Sequence, residues 1–112
     1  MTMGKRILLV DDDDALRTSL VEQLQLHEEF ETLEANTGST GLESAKAEHI
    51  DAIILDVGLP DMDGRDVCRL MRRAGVKVPI IMLTAADSDA DTILSLDAGA
   101  NDFITKPFRL GV

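Results

Sequence analysis

Three short runs, Ile7-Leu8-Leu9-Val10, Ala52-Ile53-Ile54-Leu55 and Ile80-Ile81-Met82-Leu83, are apolar without interruption and rich in β-branched residues. A strand with one wet face alternates apolar and polar side chains, whereas a strand covered on both faces does not. These runs therefore read as buried strands of a sheet held between helices. Phe30 to Ala35 mixes apolar and charged positions, as suits a sheet edge. Asp102-Phe103-Ile104 would form a last, short strand. Between the strands the apolar period becomes helical: Leu16, Leu20, Val21 and Leu24 form one stripe, and Val67, Leu70, Met71 and Ala74 another. Thr40-x-x-Glu43 and Ser88-x-x-Asp91 read as capping boxes. Gly75 and Gly99 stand where a left-handed helix terminus favours glycine. Five strands alternate with four complete helices in this reading. Parallel strands require such crossovers, so the expected fold is α/β, a doubly wound five-stranded parallel sheet.

A length of 112 residues suits one domain, 1–112, and 45 % hydrophobic residues suffice for a core. After Ile104 the chain holds at most the first turn of a fifth helix, so the segment is expected to be a fragment of a longer chain with that helix truncated. A sheet face left bare would invite self-association. No apolar run is long enough to cross a bilayer and no signal sequence opens the chain, so a cytoplasmic location is expected, without membrane contact. The single cysteine, Cys68, excludes an intramolecular disulfide. A net charge of −10 argues against this segment gripping nucleic acid. Arg72-Arg73 reads as a solvated helix end, and the three aromatics, all Phe, provide no base-stacking platform.

The chemistry gathers at strand ends. The first strand runs into Asp11-Asp12-Asp13-Asp14, the third ends in Asp56, the fourth in Thr84, and Lys106 follows the fifth. Ligands of open α/β sheets bind outside the carboxyl ends of strands, where strand order switches. If the first and third strands are neighbours, Asp11, Asp12 and Asp56 converge. Two unit charges ~5 Å apart repel by about 3 kcal/mol at an effective dielectric of ~20, and three such pairs by roughly 10 kcal/mol, comparable to the stability of a small domain. Protons or a cation must relieve this. Hard oxygen donors favour Mg²⁺ (or Mn²⁺) over zinc, and the lone His27 and His49 read as surface residues. A metal-held carboxylate beside a lysine and a hydroxyl is equipped for phosphoryl transfer onto aspartate. Each piece alone also has a plain reading: an Asp or Thr after a strand caps a helix, and Lys106 is a surface lysine.

The combination resembles the receiver domains of two-component response regulators. The matching segments are Lys5 to Asp13, Ile54 to Gly64, Pro79 to Ala85 and Ala98 to Phe108, so the likeness covers essentially the whole chain. It implies a flavodoxin-like strand order 2-1-3-4-5. It also implies Asp56 as phosphoacceptor, Asp12 as a direct Mg²⁺ ligand, Asp11 as a ligand mainly through water, and the Gly58 carbonyl as a further ligand. Lys106 would pair with Asp56 and then with the phosphoryl group. Thr84 would move inward, with the rotamer of Phe103 following it. Asp13 and Asp14 read as first-turn helix residues. Pro60 and Gly64 would shape the loop after Asp56, glycine allowing backbone angles other residues resist, and Lys106-Pro107 matches a cis peptide position of the family.

The resemblance further implies a sensor histidine kinase as phosphoryl donor. Dimerisation is expected through the face of the fourth helix, fifth strand and fifth helix, where Asn101 replaces a frequent aspartate. Output would be transcriptional, through a DNA-binding domain absent from this segment; the stretch from Ala86 to Phe108 is most similar to receivers joined to winged-helix domains. A stand-alone receiver acting by protein contact is the alternative. Such a domain is not an enzyme with turnover. A phosphorylation-independent interaction module would have lost a pocket residue, and none is lost here. A phosphatase using an aspartate nucleophile would carry it in D-x-D on the first strand, unlike Asp56.

Overall fold

The computed structural model describes residues 4–27, 30–47, 49–84 and 98–105, with side chains at all of these except Thr84 and residues 103–105. In chain order the elements are β1 (Lys5–Val10), α1 (Asp14–Gln25), β2 (Phe30–Ala35), α2 (Gly38–Ala47), β3 (Ala52–Asp56), α3 (Gly64–Arg73), β4 (Ile80–Thr84) and β5 (Asp102–Thr105). They form an α/β, flavodoxin-like fold around one parallel sheet of order β2-β1-β3-β4-β5. The mixed-pattern strand β2 stands at an edge, as its sequence suggests. The predicted fourth helix with Ser88-x-x-Asp91, and the truncated fifth helix, lie outside the described residues.

Successive side chains of a strand point to opposite faces, so each apolar run feeds two cores. Leu8, Val10, Ile53, Leu55, Ile80 and Met82 pack with Ala45 of α2 and Val67, Cys68 and Met71 of α3. Ile7, Leu9 and Leu83 pack on the other face with Leu20 and Leu24 of α1, joined by the half-buried Leu16, Val21 and Ile54. Removing a side chain such as Leu8, Leu9 or Ile53 from water contributes ~1.5–3 kcal/mol. Double coverage of the sheet is why these runs carry no polar positions.

The α1 stripe buries as its period predicts. In α3 the buried side is instead Gly64, Val67, Cys68 and Met71, while Leu70 is half-buried and Ala74 exposed. The helix is rotated so that a cysteine, a small apolar group in this setting, takes the core position.

The helix starts explain the loops. Asp13 caps α1, accepting from the Leu16 N–H, and Asp14 lies in the first turn, where the positive end of the helix dipole favours an acid. Asp63 caps α3, accepting from the Arg65 N–H. The α2 start differs from the predicted box at Thr40: the cap is Thr37, whose Oγ1 accepts from the Thr40 N–H at 3.1 Å. Thr40 thus lies inside the first turn and bonds back to Thr37 through its own hydroxyl at 2.7 Å. Gly75 and Gly99 have φ of 94° and 108°, the left-handed conformation expected there.

Arg72 overturns the reading of Arg72-Arg73 as a solvated end. Its guanidinium donates to the carbonyls of Gly99 (2.9 Å), Val76 (3.0 Å) and Val78 (2.7 Å), and to Asn101 Oδ1 (2.8 Å). Asn101 Oδ1 also accepts from the Ile80 N–H at 2.9 Å. The Asn101 side chain therefore serves a contact within the chain, at the N-terminal ends of β4 and β5. His27 and His49 are exposed, as expected. No helix among the described residues is long and apolar enough to cross a membrane.

Candidate functional site

The strand register builds the site. β1 pairs with β3 so that Val10 lies beside Leu55, which brings the residues that follow, Asp11 and Asp56, to the same end of adjacent strands. Asp56 in turn lies beside Leu83 of β4, one residue before Thr84, and Thr84 pairs with Thr105. The carboxyl ends of β1, β3, β4 and β5 thus share one edge of the sheet, beside the point where the chain order reverses between β1 and β3.

Carboxylate oxygens of Asp11, Asp12 and Asp56 all lie within 4.8 Å of one another. Asp11 and Asp56 are buried, 1 % and 5 % exposed, whereas Asp12 faces solvent. The buried pair has little water to disperse its charge, and the exposed member opens the cluster to the outside. Donors of this kind, all hard oxygens with no sulfur or imidazole among them, fit a hard divalent cation.

Local bonds hold the cluster's backbone. Asp11 Oδ1 accepts from the Asp13 N–H at 2.9 Å, and the Asp11 N–H donates to the Ala35 carbonyl at 3.0 Å. Arg17, not singled out from the sequence, donates to the Asp11 carbonyl at 2.6 Å and pairs with Asp14 (2.6 Å) and Glu34 (2.9 Å). These partners raise its pKa, the bond to Asp14 foremost. It braces the acidic turn while leaving the three clustered carboxylates to the site.

On the other side, the loop from Val57 to Asp63 is folded tightly. Val57 donates to the Leu83 carbonyl, while its own carbonyl accepts from Leu59 at 3.1 Å and Gly64 at 2.8 Å. Gly58 and Asp63 form a bridge across the loop. Gly58 borders the cluster: a Cβ on it would stand 3.9 Å from Asp56 Oδ2, in ordinary van der Waals contact and without a clash. Asp63 is gripped by Arg65, which donates at 2.7 Å, and this pairing holds its carboxyl below the usual range.

Gly64 is needed for a different reason from the one expected. Its φ is not positive. A Cβ there would overlap the Asp56 carbonyl oxygen and come within 2.8 Å of the Asp56 carbonyl carbon and 2.9 Å of Val57 Cα. The requirement is close backbone approach, not an unusual angle.

Asp61 is a second residue that the sequence did not mark. Its carboxylate accepts from the Gly38 N–H at 2.7 Å and the Ser39 N–H at 3.0 Å, at the start of α2. These bonds, Gly38 first, lower its pKa. No local signal links residues so far apart.

Of the residues named from the sequence, Asp11, Asp12 and Asp56 meet, and Gly58 borders them. Thr84 is the last residue of β4, and Phe103 lies in β5 opposite Met82. Their side chains, along with Lys106 and the Lys106-Pro107 peptide, lie outside what the structure describes.

Residues 7–111 match the response regulator receiver domain family. The chain belongs to that family. The receiver is 42 % identical over 106 residues to the alkaline phosphatase synthesis transcriptional regulatory protein PhoP of Bacillus subtilis strain 168, covering 95 % of the chain and 44 % of PhoP. It is 44 % identical over 108 residues to the response regulator MprA of Mycobacterium ulcerans strain Agy99, covering 96 % and 46 %. The receiver thus spans about half the length of the curated relatives it matches. Its fold is similar to the receiver domain of sensor histidine kinase PA1611 from Pseudomonas aeruginosa PAO1. The TM-score is 0.80 at 34 % identity, over 95 % of this chain and 88 % of that one, and that structure has a magnesium ion coordinated in its active-site cleft. Two-component signalling is the receiver's setting.

Proposed function

We propose that this receiver accepts a phosphoryl group on Asp56 from the phosphohistidine of a sensor histidine kinase, in a reaction that depends on Mg²⁺, and thereby switches an output. The observation that carries this reading is the meeting of Asp11, Asp12 and Asp56 within 4.8 Å at the carboxyl ends of β1 and β3. Asp12 would hold the cation directly, Asp11 mainly through water, with Asp56 and the backbone carbonyl of Gly58 completing the set; Mn²⁺ would serve as well. The magnesium ion in the receiver of PA1611 supports the choice of ion. When bound, the cation supplies positive charge to the carboxylates and to the phosphoryl oxygens.

The protein groups do the rest. An Asp56 oxygen forms a bond to phosphorus as the P–N bond of the donor histidine breaks and its imidazole leaves. Gly58, lacking a side chain, leaves room beside Asp56 Oδ2 for the incoming group. Lys106 and the Thr84 hydroxyl bond the phosphoryl oxygens, and Thr84 and Phe103 turn inward together. That alters the face of the fourth helix, β5 and the fifth helix, on which two receivers pair. The likeness to PhoP, a transcriptional regulatory protein of which the match covers 44 %, supports a transcriptional output, and the family resemblance implies a DNA-binding domain of winged-helix type as the part that delivers it.

Incubation with a small acyl phosphate tests the assignment. Intact-mass measurement should show one phosphoryl group per chain with Mg²⁺, none with chelator, and none in Asp56→Asn. Phosphate esters should not be turned over. Full labelling of Asp56→Asn would refute the assignment.

A further inference from the structure

We infer that Asp61 is a positioning residue for the cation site: by holding the start of α2, its carboxylate fixes the loop that carries Gly58 beside Asp56. This deepens the reading above and rests on it.

The first N–H groups of a helix have no partner within it, and the side chain of the residue just before satisfies only one of them. In α2, Thr37 serves only Thr40 among them. Gly38 and Ser39 donate instead to the two oxygens of Asp61, at 2.7 and 3.0 Å, across more than twenty residues of chain. A carboxylate at the positive end of a helix makes strong, directional bonds. The approach is close enough that a Cβ on Gly38 would stand 2.7 Å from Val67 Cγ2 and 3.2 Å from Asp61 Oδ1.

Both partners of this bond lead to the acidic cluster. α2 is seated on β1, where a Cβ on Gly41 would meet both Val10 methyl groups at 2.8 Å, and Val10 immediately precedes Asp11. Asp61 belongs to the loop that leaves Asp56, and that loop is stiffened by the Leu59 and Gly64 bonds to the Val57 carbonyl and by the Gly58–Asp63 bridge. The Asp61 carboxylate therefore ties the loop that follows Asp56 to the helix that packs on Val10 of β1, one residue before Asp11. Without it, the loop after Asp56 keeps its internal bonds but loses its tie to α2. Asp61 itself is not one of the clustered carboxylates.

The test is Mn²⁺ affinity of the intact chain, read from the paramagnetic resonance of free Mn²⁺, with thermal unfolding in chelator measured in parallel. Asp61→Ala should weaken Mn²⁺ binding roughly tenfold, as loss of a group that orients metal ligands commonly does. Asp61→Asn, with one acceptor oxygen left, should fall between Asp61→Ala and wild type, and carries the comparison should the alanine variant unfold. Asp51→Ala is the control. It removes a similar bond, from the Arg6 N–H at 2.8 Å, at the opposite ends of β1 and β3, and should lower thermal stability while leaving Mn²⁺ affinity unchanged. Wild-type affinity in both Asp61 variants, or an equal loss in Asp51→Ala, would overturn the inference. A wild-type chain that bound no Mn²⁺ would overturn the cation reading itself.

Discussion

At the scale of the residue, Gly58 of the loop after Asp56 and Gly64 at the start of α3 carry opposite constraints. Gly64 lies against the Asp56 backbone, where even a methyl group has no room, whereas a methyl group on Gly58 would meet only Asp56 Oδ2, at an ordinary contact distance. Gly64→Ala is expected to cost about 1–3 kcal/mol through forced backbone displacement, and to slow phosphorylation because the displaced atoms belong to Asp56. Gly58→Ala should be neutral or stabilising by up to ~1 kcal/mol, since it restricts only the unfolded chain. Urea unfolding of both variants checks the pair, and equal losses would contradict the geometry.

Between elements, Arg72 makes the most side-chain bonds among the described residues. One guanidinium joins the end of α3 to the approach to β4 and to the turn before β5, using the fork geometry to reach three carbonyls and Asn101. Charged hydrogen bonds contribute ~1.5–3 kcal/mol each when their loss strands a partner, but these carbonyls can partly rehydrate. Arg72→Ala should therefore destabilise by about 2–4 kcal/mol. Arg72→Lys should recover less than half of that, because an ammonium cannot fork. The check is a shift in urea midpoint at unchanged m-value. A lysine variant as stable as wild type would show that charge alone matters there.

For the whole molecule, charge is the governing quantity. The chain carries a net −10, and three of its carboxylates meet at one site. A cation that binds only the folded state stabilises it by mass action, ~2.7 kcal/mol at a hundred times its Kd. Magnesium at that level should raise Tm by on the order of 10 °C over chelator at matched ionic strength. Asp12→Ala should lose most of this rise, yet unfold no lower than wild type in chelator, because removing one of three like charges relieves repulsion. Scanning calorimetry of the two proteins with and without Mg²⁺ decides it.

The architecture and the acidic cluster were legible because their signals are local. An unbroken apolar run reports burial on both faces, and a carboxylate falling just past such a run must sit at a strand's carboxyl end. Ile7 to Val10 followed by Asp11, and Ala52 to Leu55 followed by Asp56, place both acids at strand ends, while the neighbouring of those two strands was implied by the family resemblance. Only the tertiary structure assigned the roles of Arg72, Arg17 and Asp61, and the reason for Gly64. Their roles depend on groups brought near by packing: carbonyls beyond the helix end, a helix start more than twenty residues back, a backbone that leaves no space for a methyl group. Short-range patterns encode which residues are buried and where strands end. Distances between segments remote in sequence arise only once the sheet has paired and the helices have closed on it.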